Sequence, residues 1–297
     1  MTLEQLRIFL AVAERGHVTR AARVLNLTQS AVSAAISTLK AQHGVRLFDR
    51  IGRGIEITEA GRTFMGAAQA VMAEAETARL VLADLAQDVR GRLRIHASQT
   101  VASYWLPPFL ITLHERHAGL DMALMVGNTA QVAQAVTNGA ADLGFVEGDV
   151  TQNDLRRRVV ARDELVFVMS PDHLLAKSRS LGALDYGRTS WVLRELGSGT
   201  RSEFEAHLSA MRLSIDDLDI ALELPSNEAI LAAVAGGRCI SMLSRRAVEG
   251  AVSQGVVRIR SVTWAPRPER SFAVLTHPAR HRTRAAEALL NLIDEAR

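Results

Sequence analysis

The stretch from His17 to Thr58, HVTRAARVLNLTQSAVSAAISTLKAQHGVRLFDRIGRGIEIT, admits few folds. Ahead of it, Thr2 and Gln5 have the spacing of a capping box. Leu3, Leu6, Phe9, Leu10 and Ala13 then recur at helical intervals until Gly16. Thr19 is placed to cap a second helix, whose Ala21, Ala22 and Leu25 face inward, and small alanines let helices cross closely. Asn26 tolerates the left-handed backbone of a tight turn. Thr28 caps a third helix.

That third helix has two faces. Val32, Ile36 and Leu39 repeat at i, i+4 and i+7 and are expected in the core. Gln29, Ser33, Ser37 and Lys40 fall on the other side, with Thr28 and Ser30 at its start. Short polar side chains on an exposed helix suit hydrogen bonding to base edges in a major groove. The commoner cause of such polarity is a solvated face. Here a hairpin from Val45 to Thr58 follows at once, with Leu47 and Phe48 as anchors and Arg50 and Arg53 flanking Gly52 and Gly54. Arginine there suits phosphates or a narrow minor groove. Residues 1–58 hold eight basic against four acidic residues, whereas 59–90 hold three against five. A chain with a net charge of only +3 thus concentrates its positive excess where a polyanion would dock.

The run AARVLNLTQSAVSAAISTLKAQHGVRLFDRIGRGIEITEAG resembles the DNA-binding domain of the LysR-type transcriptional regulators. The matching residues are Ala21-Ala22, Leu25, Gln29-Ser30, Val32-Ser33, Ile36, Leu39, Leu47-Phe48, Arg50, Arg53, Thr58 and Gly61. The chain departs from the family at Ala34 and Ala35, where Arg or Gln is frequent after Ser33, and at Lys40, where an acid is usual.

Residues 59–89 contain no proline. Phe64, Ala68, Val71, Ala75, Ala78, Leu82, Leu85 and Val89 alternate at spacings of four and three, which is a heptad seam. A long helix with that seam is expected to dimerise, and the resemblance implies the same. A dimer sets two recognition helices on two half-sites.

After Arg90-Gly91 the pattern changes to strands alternating with helices. Strands are expected at Leu93–His96, Met122–Val126 and Asp142–Val146, with helices at Trp105–His117 and Ala130–Asn138. A second set runs through Glu164–Met169, Trp191–Leu193, Ala221–Leu224 and Cys239–Leu243, then strand Ser271–Thr276 and helix Thr283–Ala296. This order argues for a parallel α/β sheet. The expected class is α + α/β: a winged helix-turn-helix over 1–58, a linker and dimerisation helix over 59–89, and an effector domain over 90–297. The resemblance implies that the last is two-lobed, like type 2 periplasmic binding proteins. Lobe I would span about 90–162 plus 266–297 and lobe II about 163–265.

Ligands of open α/β sheets bind at the carboxyl ends of strands, against helix N-termini. Ser98-Gln99-Thr100, Asn128-Thr129, Ser198-Gly199-Thr200 and Asn227 occupy such places, and Glu147 is an acid beside them. Glycine admits a close backbone, hydroxyls donate, and helix N–H groups favour an anion. Each hydroxyl could equally be an N-cap. Convergence of several on one cleft favours a binding site. Trp191–Arg201 with Gly127–Thr129 and Val146–Gly148 resembles the family's cysteine-biosynthesis and sulfur-metabolism regulators, which implies a sulfur oxyanion or an acidic metabolite as effector.

No cofactor, metal or catalytic residue is expected. Cys239 is a single cysteine, expected as a buried strand thiol, and the nine histidines lack metal-ligand spacing. Ser98, His96 and Asp142 lack the elbow a nucleophilic triad needs. The chain begins a helix without a leader and is expected in the cytoplasm. The resemblance implies double-stranded DNA, a small effector, RNA polymerase and further copies of the chain (homodimer and homotetramer) as partners, with no membrane. The competing functions are an enzyme holding a phosphate on Gly197-Ser198-Gly199-Thr200-Arg201, or a cytoplasmic solute-binding protein.

Overall fold

A computed structural model describes residues 1–51, 54–84, 91–148, 150, 154–262, 264–265 and 267–296, without the side chains of Arg50, Ile51, Leu80, Ala83 and Asp84. It divides into two compact units, Met1–Gln87 with Asn138–Ala140, and Asp88–Thr137 with Ala141–Arg297.

The first unit opens with α1 (Leu3–Arg15), α2 (Val18–Leu25) and α3 (Gln29–His43). The capping box at Thr2 and Gln5 forms, and Gly16 ends α1 at φ 59°. Asn26 ends α2 at φ 54°, the left-handed turn expected of it. The cap of α2 differs from expectation: His17 is the extended residue, and its Nδ1 accepts from the Thr19 amide at 3.2 Å. Thr19 therefore lies inside the first turn. Thr28 accepts from the Ala31 amide at 3.2 Å and caps α3.

The wing is β1 (Phe48–Ile51) paired antiparallel with β2 (Gly54–Ile57). Phe9 packs on Phe48 and Phe64, with ring centroids 5.3 and 4.8 Å apart, and so ties α1 to the wing and to α4 (Glu59–Asp84). Gly61 is required at the start of α4, because a Cβ there would sit 2.3 Å from the Leu47 carbonyl oxygen. Two seam positions, Phe64 and Ala68, join this core and are committed to their own unit. From Val71 the seam is open: Val71 and Leu82 are 43% and 71% exposed. Leu85 and Val89 lie outside the described residues.

The second unit begins with β3 (Gly91–Ser98), α5 (Gln99–Tyr104), α6 (Pro107–Arg116), β4 (Leu120–Gly127), α7 (Thr129–Thr137) and β5 (Leu143–Glu147). The helix expected at Trp105–His117 is present as α6, starting two residues later, and α5 ahead of it was not expected; the two are separated at Trp105-Leu106. Pro107 and Pro108 explain it, since proline suits the first turn of a helix and breaks its interior. There follow β6 (Arg156–Met169), α8 (Ala183–Tyr186), β7 (Ser190–Arg194), α9 (Gly199–Ala210) and β8 (Asp219–Leu224). The chain closes with α10 (Asn227–Gly236), β9 (Cys239–Ser244), α11 (Arg245–Ser253), β10 (Arg258–Arg260), β11 (Glu269–Thr276) and α12 (Arg284–Glu295).

The sheet is mixed, not purely parallel. Its order is β4-β3-β5-β11-β6-β9-β7-β8, with β10 against β6. β3, β4 and β5 are parallel in one lobe, and β7, β8 and β9 in the other. The long strand β6 joins them: it pairs antiparallel with β11 from Arg156 to Glu164, then with β9 from Leu165. The final strand thus returns to the first lobe, beside β5.

Each lobe fills both faces of its half-sheet. Trp105 packs on Phe109 and Phe145 in lobe I, and Trp191 on Phe204 at 4.7 Å in lobe II. Burying each such ring contributes roughly 1.5–3 kcal/mol. Trp264 stays 43% exposed, its Nε1 donating to the Leu181 carbonyl at 2.7 Å. Cys239 is half-buried at the first residue of β9, less enclosed than expected, since its strand enters the core only at Ile240.

Candidate functional site

In the first unit, α3 turns Val32 and Leu39 into the core with Ile36 half-buried, and exposes Thr28, Gln29, Ser30, Ser33, Ser37 and Lys40. The exposed face has no acid and carries one lysine, so nothing on it repels phosphate. Thr28 and Ser30 share a hydrogen bond at 3.0 Å, and Ala34 is exposed between the serines. Arg50 lies on β1, and Arg53 falls outside the described residues.

In the second unit, the predicted loops meet between the lobes. Ser98 ends β3 and stands at the N-cap of α5, yet makes no cap bond: its hydroxyl donates to Glu147 Oε2. Thr129 donates to the Glu147 carbonyl at 2.8 Å. Asn128 does act as a local cap, its Oδ1 accepting from the Gln131 amide at 3.0 Å, and its Nδ2 reaches the Leu196 carbonyl at 3.4 Å. Gly199 must be glycine, since a Cβ would lie 2.1 Å from the Glu147 carbonyl oxygen. The close approach of α9 to the end of β5 depends on it.

Asn227 is fully buried and is not the cap of α10; Ser226 is, accepting from the Ala229 amide. That frees Asn227 to donate to Thr100 Oγ1 at 3.2 Å and to accept from Arg194 Nη1 at 3.1 Å. Gln99 Oε1 accepts from Arg194 and from the Asn227 amide, at 3.0 and 2.8 Å. Gln99 and Tyr104 both donate to Glu228. Burial, then Glu228, pushes the Tyr104 hydroxyl up to about 12, so it serves as a donor at neutral pH.

Three charged residues at the centre were not expected: Arg194, Asp163 and Arg270. Arg270, on β11, donates to Asp163 at 2.8 Å, Thr200 at 2.9 Å and Thr100 at 3.3 Å, and lies 3.7 Å from Glu147. Its guanidinium also sits over the Phe272 ring at 5.7 Å. Arg194 closes the apolar run Trp191-Val192-Leu193, and a charge inside such a run was the available signal. Burial holds the Glu147 carboxyl above the usual carboxylate range, against the pull of Arg270 and Arg194.

One donor is unspent. Ser198 stands at the N-cap of α9 with no side-chain cap bond, and its Oγ is buried without a partner among the described residues. The first turn of any helix also leaves N–H groups without intrahelical acceptors. A hydroxyl and helix N–H groups so placed can donate to an acceptor oxygen. Among the described residues, no group of His, Cys, Asp and Glu is arranged to hold a metal, and no helix is long and apolar enough to cross a membrane.

Comparison with known proteins agrees with this architecture. Residues 3–62 match the family described as bacterial regulatory helix-turn-helix protein, lysR family, and residues 86–297 match the LysR substrate binding domain. An uncharacterized HTH-type transcriptional regulator, YeiE of Escherichia coli K12, is 34% identical over 296 residues, covering 100% of this chain and 98% of its own. Full-length CbnR in complex with its target DNA superposes with a TM-score of 0.72 at 18% identity, over 100% of both chains. The regulatory domain of CcmR from Synechocystis PCC6803, in complex with 2-PG, gives 0.63 at 25% identity over 70% of this chain and 97% of that one. The chain belongs to the LysR family: it is a DNA-binding transcriptional regulator with an effector-binding domain, and not an enzyme.

Proposed function

We propose that the effector is a small oxyanion or acidic metabolite seated between the lobes, with the Ser198 hydroxyl and the N-terminus of α9 as its principal donors. The observation that carries this reading is the buried, unpartnered Ser198 Oγ. A buried donor without an acceptor costs about 1–3 kcal/mol, and a ligand oxygen relieves that cost. Thr200 and Thr100 supply further hydroxyls, while Ser98, bonded to Glu147, and Gln99, Asn128, Thr129, Gly199 and Asn227 set the walls. Arg270 favours negative charge, Arg194 is already paired with Glu195 through bonds of 2.8 and 3.0 Å, and Glu147 and Asp163 hold the preference to a small ligand charge. The finer reading follows from the likeness to sulfur-metabolism regulators: a sulfur oxyanion such as sulfite, sulfate or thiosulfate. The CcmR regulatory domain, in complex with 2-PG, makes 2-PG the comparison ligand.

The regulator would act in the cytoplasm as a homodimer and homotetramer. It would read DNA through Thr28, Gln29, Ser30, Ser33, Ser37, Lys40, Arg50 and Arg53, pair through the seam from Val71, and engage RNA polymerase. An effector shifts the molecule only by binding one arrangement of the lobes more tightly than another.

The test is thermal denaturation of the full chain with each anion. A rise in melting temperature is expected for the wild type and not for Ser198→Val or Thr200→Val. Equal shifts in all three proteins would place the ligand elsewhere.

A further inference from the structure

Behind the crossover strand β6 lies a second cavity, of about 330 Å³, lined by Glu164, Phe167, Arg179, Arg245, Arg260 and Arg267 among others. It does not share the cleft's residues. Asp163 points to the cleft cluster, whereas its neighbour Glu164 faces the cavity, as alternation along a strand requires.

The arginines are unequally matched. Arg245 is neutralised by Glu164, with bonds of 2.6 and 3.0 Å. Arg260 has no carboxylate among the described residues. Its Nη1 donates to the Ile259 carbonyl at 2.7 Å and its Nη2 to that of Ala176, while its Nε is buried with no partner. Arg179 and Arg267 are exposed on the rim and make no ion pair among the described residues. Glu269 is the register partner of Glu164 on β11, but it is exposed and does not line the cavity. Four guanidinium groups therefore line a space whose one lining carboxylate, Glu164, is bonded to Arg245 and also feels the charge of Arg267, which leaves an excess of positive charge. Burying part of such a charge is costly unless an anion accompanies it.

We propose that this cavity is a second anion site, separate from the effector cleft, that takes the phosphoryl group of a small molecule. A doubly charged tetrahedral group meets the excess of positive charge, and its oxygens match the paired donors of guanidinium groups. The volume is at the lower end for small-molecule pockets, which suits one or two phosphoryl groups. The proposal does not depend on what the cleft binds.

The experiment is isothermal titration of the full chain with inorganic pyrophosphate, and separately with inorganic phosphate, at constant ionic strength. Saturable binding is expected. It should weaken roughly tenfold or more in Arg179→Ser/Arg267→Ser, a loss of at least about 1.4 kcal/mol. Both positions are exposed, so the variant should melt with the wild type. Thr200→Val, in the cleft, and Lys40→Ala, on the DNA-facing helix, should each retain the binding phase that Arg179→Ser/Arg267→Ser loses, whatever anion binding the cleft itself contributes. Absence of binding, or binding unchanged in Arg179→Ser/Arg267→Ser, overturns the proposal. Loss confined to Thr200→Val or Lys40→Ala does so too.

Discussion

Arg270 donates through Nε to Asp163 at 2.8 Å, and the two side chains are 0% and 1% exposed. The residues are also register partners on β11 and β6, the strands that join the lobes. Removing one member leaves its partner's charge buried. Arg270→Met should therefore destabilise the effector unit by about 3–5 kcal/mol, read from urea unfolding followed by tryptophan-independent circular dichroism. Asp163→Leu combined with Arg270→Met removes the orphaned charge as well and should be less damaging than Arg270→Met alone, at the cost of the acceptor to which Ser244 donates at 2.8 Å. Equal damage in both would mean that the pair does not balance itself.

DNA affinity should fall steeply with salt, log K against log salt losing about 0.9 for each phosphate neutralised. Lys40→Ala should flatten that slope by about one contact and weaken all sequences alike. Ser33→Ala or Gln29→Ala should instead change the preference between sites, by about 1–3 kcal/mol at the affected base pair. Fluorescence anisotropy of labelled duplexes at several salt concentrations measures both. A flat salt response would remove the phosphate contacts from the account.

Exposed apolar positions along α4 set up a further test. Leu82→Asp together with Val71→Asp puts charge on the open part of the seam, while Phe64 and Ala68 continue to hold α4 to its own unit. The variant should stay folded and sediment as a smaller species. An unchanged sedimentation coefficient would place the dimer contact on another face.

His207 provides a pH signature. Burial lowers its pKa from 6.5, and its ring shares a 2.9 Å hydrogen bond with the Tyr186 hydroxyl. The unfolded chain then binds the proton more readily than the folded one. Stability from this group is complete above pH 6.5 and is lost as pH falls through the depressed folded value. Urea midpoints for the wild type and His207→Gln should converge on acidification below that point. Parallel pH curves would show that the histidine is not held neutral.

The sequence was most informative where structure is local. Asn26, Thr28 and the Thr2–Gln5 box each act within four residues of themselves, and all three were placed correctly. The loops around Ser98, Thr129, Ser198 and Thr200 were legible because strand ends and helix starts mark them. What those residues do was not. Ser98 and Asn227 look like caps, yet they spend their side chains on Glu147, Thr100 and Arg194, partners supplied by folding. Arg270 was invisible for the same reason: Glu269-Arg270-Ser271 reads as a strand edge, and Asp163 is 107 residues away. His17 displaced Thr19 as a cap because an imidazole nitrogen can accept an amide bond as a hydroxyl does.

The tryptophans have a practical consequence. Trp105, Trp191 and Trp264 all lie in the unit formed by 88–137 and 141–297, and both tyrosines, Tyr104 and Tyr186, lie there too. The helix-turn-helix unit has neither, so its only aromatic chromophores are phenylalanines. Indole emission from the intact regulator is therefore a spectrum of the effector unit alone, with two dark-packed emitters and one, Trp264, open to water-soluble quenchers. A change in that spectrum when DNA is added would be an optical record of coupling from one end of the chain to the other, obtained without attaching a dye.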